Sequence, residues 1–147
     1  MGYRYREDLT AADVAFEADG KTLEELFQSA ALALTNTMIE DSAKLGGKAE
    51  RKVSIKAGSE ERLLHDFLDE LVFLKDAESL LFRSFSIKIT EKKARGKSVF
   101  SLEATLHGEE IDISKHHMIV DVKAVSWHRF ELKKSRDGWK ALVIVDV

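Results

Sequence analysis

The sequence predicts an α+β fold: β-α-β-α followed by four or five mainly antiparallel strands, with two helices packed on the sheet. Two observations carry this. Two segments repeat apolar residues at helical spacing, and each begins with a capping signal. The C-terminal half instead alternates apolar and polar residues in short runs separated by turn sequences. At 147 residues the chain suits one domain, spanning 1–147, with enough length for a real hydrophobic core.

The elements follow in order. An apolar run begins at Val14, directly after Asp13, and predicts a first strand. Thr22 and Glu25 form a capping box behind Gly20, and Leu23, Leu26, Phe27, Ala30, Ala31, Leu34 and Met38 then recur on one helical face. Lys44-Leu45-Gly46-Gly47-Lys48 lacks the spacing of a phosphate-binding loop and reads as a flexible connection. Val53, Ile55 and Ala57 alternate with polar residues and predict a strand. Ser59 can cap a second helix, with Glu60 and Glu61 at the positive end of its dipole. Its apolar face is Leu63, Leu64, Phe67, Leu68, Leu71, Val72 and Leu74.

The remainder predicts strands. Phe85, Ile87 and Ile89 alternate, as do Phe100, Leu102, Ala104 and Leu106, and Lys92–Lys97 between them makes a hairpin with a basic tip. After a polar loop from His107 to His117, Met118, Val120, Val122 and Ala124 predict another strand. Trp127–Lys133 and Trp139–Val147 flank Asp137-Gly138, a hairpin turn.

Composition narrows the function. Lys plus Arg is 23 and Asp plus Glu is 26, a net charge of −3, so bulk positive charge does not drive nucleic-acid binding. No strong direct binding of nucleic acid is expected. The absence of cysteine excludes disulfides, zinc–thiolate sites and thiol nucleophiles. Residues 1–8 lack the apolar region of a signal peptide, and no apolar run is long enough to span a bilayer. A cytoplasmic protein without membrane partners is expected.

Candidate sites are few. Ala141-Leu142-Val143-Ile144-Val145 is an apolar strand that ends in Asp146-Val147. A carboxylate at the mouth of a buried strand is costly unless it is paired or binds a cation. Asp13 stands before another such strand, so Asp13, Asp146 and the C-terminal oxygens suggest a hard-cation site if the two strands meet. Asp13 and Asp146 could alternatively serve as general acid and base. Asp112, Lys115, His116 and His117 form the densest polar cluster, but adjacent histidines on a strand face opposite ways and make a poor zinc pair. His65, His107 and His128 are scattered and read as solvated or hydrogen-bonded. Lys123 lies between Val122 and Ala124: it either reaches solvent or needs a carboxylate such as Asp13 or Asp146. Lys92, Lys93, Arg95 and Lys97 read either as an RNA-phosphate contact or as a solvated turn protecting a sheet edge.

Taken together, five segments resemble the archease family, small proteins that assist RtcB-type RNA ligases in tRNA splicing and RNA repair. They are Gly20–Phe27 running into Ala30–Leu34, Leu63–Leu71, Gly108–Asp112 with Lys115-His116, Val122-Lys123-Ala124 with Trp127-His128, and Trp139–Val147. Where that family usually has His-Thr-Ala-Asp, this chain has Thr10-Ala11-Ala12-Asp13. The resemblance implies a ligase activator and not an enzyme: it would promote guanylylation of the ligase, sustain multiple turnover and broaden nucleotide use. It implies metal ligands at Asp13, Asp146 and Val147, with calcium or magnesium as the ion. It also implies a partner-facing surface at Lys115, His116 and Lys123. The alternatives are a metal-dependent phosphoester hydrolase, an RNA-binding module using the basic hairpin tip, or a chaperone-like modulator of another nucleic-acid-processing enzyme.

Overall fold

The structure, a computed structural model, describes residues 1–10 and 13–147. Its strands are β1 (Gly2–Tyr5), β2 (Val14–Gly20), β3 (Ala49–Ala57), β4 (Leu80–Ala94), β5 (Lys97–Glu110), β6 (Ala124–Val125), β7 (Glu131–Ser135) and β8 (Gly138–Asp146). Its two α-helices are α1 (Leu23–Met38) and α2 (Glu60–Glu78), and a 3-10 turn spans Ser42–Lys44. Every strand pairing is antiparallel. The strands form two sheets where the sequence predicts one. Five strands run β1-β2-β8, with β6 and β7 both on the far edge of β8, and three run β3-β5-β4. Both helices touch both sheets and share their core.

The helix starts behave as predicted. Thr22 and Glu25 complete the capping box of α1, and the Ser59 hydroxyl accepts from the Arg62 N–H at the start of α2. The apolar face of α2 is buried from Leu63 to Leu74. That helix stops without glycine: Ser79 takes the left-handed conformation (φ 56°) and β4 begins at once.

Four expectations are corrected. Gly2–Tyr5 forms a strand on β2 although it carries no clear alternation. The stretch Met118–Ala124 is not a continuous strand; apart from one bridge between Ile39 and Met118, only Ala124–Val125 enters a ladder. Its apolar residues instead divide between core and solvent, Val122 being buried while Ile119 and Val120 are exposed. The strand expected from Trp127 starts at Glu131. Finally, β5 runs through His107 to Glu110, into the expected loop. Gly108 permits this, because a Cβ there would lie 1.9 Å from the Leu81 carbonyl oxygen, where β4 bulges between Phe82 and Ser84. Among the described residues no helix is long and apolar enough to cross a membrane.

A candidate acidic site at the ends of β2 and β8

The register of the central ladder decides where the two aspartates go. Val14 pairs with Val145 and Ala15 with Ile144, so Asp13 and Asp146 are the residues just beyond the last rung of this ladder, one from each strand. Cross-strand partners project to one face. Phe16 and Val143 fill the core from the other face, which leaves Asp146 on the outer side of the sheet with Ala15 and Ile144. On the far edge of β8, Ala124 pairs with Asp146 and the Lys123 N–H donates to the Asp146 carbonyl (2.8 Å).

Both carboxylates are half-buried at the margin of an apolar sheet. Among the described residues no Lys, Arg or His forms an ion pair with either. Arg6 shares a shallow cleft with Asp13, Thr10, Glu7 and Ala15. Its guanidinium is already committed to Glu17 and Asp8. The Thr10 hydroxyl accepts from the Asp13 N–H at 3.3 Å, just before β2. Ala11, the other departure from the family's usual motif, lies outside the described residues, as does Ala12. An all-oxygen set of two carboxylates and a main-chain oxygen, with no basic side chain consuming them, fits a hard divalent cation.

The other expected residues divide. Lys123 is exposed, so it takes the solvent-reaching alternative and does not need a carboxylate partner. Lys115 and His116 do meet, at Glu109. The Lys115 ammonium and the His116 Nε2–H (2.9 Å) both donate to the Glu109 carboxylate, which also accepts from the Gly46 N–H (2.9 Å). Asp112 closes the turn from its backbone, donating N–H to His116 Nδ1 at 3.0 Å. With Nδ1 accepting, the ring carries its proton on Nε2, the tautomer that Glu109 requires. Hydrogen bonds from Lys115, Gly46 and His116 hold the Glu109 carboxyl down to about 2. His116 is therefore a buried fastener and not a free surface group, while His117 beside it is exposed. The connection at Gly46 is pinned by the same carboxylate, and Leu45 next to it is buried.

Sequence reasoning missed a second fastener. Lys75 on α2 is buried and donates to the Val122 carbonyl (2.7 Å) and to Asp121 and Asp76. Burial pulls its pKa down, but the two carboxylates outweigh burial and leave it raised. An isolated lysine late in an amphipathic helix gives no sign of this, because the carbonyl it meets lies about 50 residues along the chain. Lys75 anchors the segment after β5, which passes the end of α1, where the Ile119 N–H donates to the Met38 carbonyl, and reaches Asp146, where the Lys123 N–H donates to the carbonyl. Lys115, His116, Lys123 and the two aspartates thus share the end of the molecule where α1 and β8 finish.

Comparison with known proteins agrees with this architecture. The chain matches the Archease protein family (MTH1598/TM1083) over residues 3–147. It is 38% identical over 148 residues to the protein archease of Methanosarcina barkeri, covering 100% of this chain and 98% of that one. The protein archease of Methanothermobacter thermautotrophicus is 40% identical, with 95% of each chain covered. The solution structure of Methanobacterium thermoautotrophicum protein 1598 superposes with a TM-score of 0.84 at 38% identity, over 99% of both chains. The crystal structure of an archease from Thermotoga maritima, described as a possible chaperone, shares the fold at a TM-score of 0.61 and 16% identity, over 94% and 93% of the two chains. This chain belongs to the archease family.

Proposed function

We propose that this protein activates an RtcB-type tRNA-splicing RNA ligase in the cytoplasm, without catalysing bond formation itself. The observation that supports this reading is the end of the β2–β8 ladder. Asp13 and Asp146 stand just beyond its last rung, with neither neutralised by a basic side chain among the described residues. An acidic pair with no structural partner is available to a ligand. Asp13, Asp146 and the main-chain oxygen of Val147 would hold the divalent cation, calcium or magnesium. The bound ion would supply localised positive charge at this tip.

Lys115 and Lys123, on the same end, are the exposed groups placed to contact the ligase around the acidic pair. His116 serves that surface from beneath, by fixing the turn that carries Lys115. Activation of this kind requires only that the protein bind the guanylylation-competent conformation of the ligase more tightly than its other states. A ligase so biased is re-guanylylated after each joining event, which sustains turnover and relaxes its choice of nucleotide.

The test is RNA joining by the cognate ligase, held limiting, with and without this protein. Many turnovers per ligase in its presence, and loss of that gain with folded Asp146→Ala, support the reading. No gain with an active ligase sinks it. Phosphoester hydrolysis by the protein alone with magnesium or manganese would replace it with the hydrolase reading.

A further inference from the structure

A second polar cluster lies on α2, against β6. His65 is only 3% exposed. Its ring lies flat against the Trp127 indole, with centroids 3.7 Å apart and planes 8° apart, and edge-on to Phe130 at 5.1 Å. Its Nε2 is 2.9 Å from the Val125 carbonyl oxygen. A carbonyl can only accept, so Nε2 carries a proton, and in the neutral ring Nδ1 then presents a lone pair. That Nδ1 is buried and has no hydrogen-bond partner. It faces the Asp69 Oδ2 at 3.4 Å, one helical turn along α2. A lone pair directed at a carboxylate oxygen is repulsive unless a positive species stands between them.

We infer that His65 Nδ1, Asp66 and Asp69 form a binding site for a borderline divalent transition-metal ion, zinc being the type case, separate from the Asp13–Asp146 site. One donor atom from each of the three residues lies within 4.8 Å of the others. Bonds of about 2.0–2.1 Å to a tetrahedral zinc put neighbouring donors roughly 3.3 Å apart. The His65–Asp69 separation of 3.4 Å already matches that edge. The imidazole nitrogen favours such an ion over calcium or magnesium, which take oxygen. The Nε2–H donated to a backbone carbonyl is the outer hydrogen bond that metal-bound histidines use to fix ring and tautomer. Asp66 and Asp69 are partly exposed, which leaves an open position towards solvent for water or an incoming ligand. Arg62 touches Asp66 only at 3.9 Å on an exposed face and competes weakly. An ion here would also stiffen β6, whose Val125 carbonyl His65 holds and whose Ala124 pairs with Asp146.

The experiment is calorimetric titration of chelator-stripped protein with zinc, repeated with cobalt(II) while following visible absorbance and tryptophan fluorescence. Wild type is expected to take up one zinc through this site, and cobalt to quench Trp127. Asp66→Asn and Asp69→Asn, at a half-buried and an exposed position of the α2 surface, should each weaken zinc binding by more than about tenfold in a protein that remains folded, the range that loss of even an outer partner produces. The Asp13→Asn, Asp146→Asn double variant should retain it. Absence of zinc binding in wild type would overturn the inference, because His65 would then be paired with Asp69 as an imidazolium. So would zinc binding untouched by both α2 substitutions, or lost only in the Asp13, Asp146 variant.

Discussion

Glu109 and Asp146 sit at the same end of the molecule and are treated in opposite ways. Glu109 accepts from a lysine, a histidine and a backbone amide, and those bonds lock two loops together. Asp146 stands, like Asp13, just beyond the last rung of the β2–β8 ladder and pairs with no basic group among the described residues. The first arrangement stabilises the native state and uses up the charge. The second makes no such bond and keeps the charge free for something else. A carboxylate that the fold leaves uncompensated points to function more reliably than one in a dense polar cluster, although the cluster is the more conspicuous in sequence.

Separating the two should be possible by substitution. The largest effect expected is on activity: Asp146→Ala should return ligase turnover to the level of ligase alone, while thermal unfolding shows stability unchanged within about 0.5 kcal/mol, or slightly higher. A variant that is inactive because it is unfolded would break the contrast. Next, His116→Ala should cost about 1–3 kcal/mol, by leaving the Asp112 amide unpaired and removing a buried ring; denaturant unfolding measures it.

The pH dependence comes from Glu109. Its pKa falls from 4.5 to about 2 on folding, so its stabilising contribution is complete above 4.5 and disappears as pH drops towards 2. Unfolding followed across that range should show this component in wild type and not in Glu109→Gln. The smallest stability effect belongs to Lys123→Ala, within about 0.5 kcal/mol because the side chain is exposed. It should nevertheless raise the protein concentration needed for half-maximal ligase stimulation. If stimulation is unchanged, Lys123 is not part of the partner surface.

Much of the fold could be read from local signals. The capping residues Thr22 and Ser59 act as sequence logic requires, and the Asp137-Gly138 turn joins β7 to β8. The stretch Met118–Ala124 misled because apolar alternation reports two environments, not a ladder. Val122 meets the core and is held by Lys75, but its neighbours contact the end of α1 or solvent. The acidic residues of the candidate site were legible as residue types at strand ends, yet their placement at one end of a shared ladder depends on a register between positions more than 130 apart in the chain. The His65–Trp127 stack was not legible, since it requires the segment after Asp121 to run along α2. His116 was visible as part of a cluster, but its burial follows from Glu109, which no periodicity marks.

The most direct test of the central claim is the fraction of ligase found guanylylated after brief incubation with GTP and metal. It should be compared without this protein, with wild type, and with folded Asp146→Asn. The account predicts a large rise with wild type, little or none with Asp146→Asn, and a full rise with a Glu109→Gln protein that remains folded under the assay conditions. An equal rise with wild type and Asp146→Asn would contradict it, because the uncompensated aspartate would then have no part in activation.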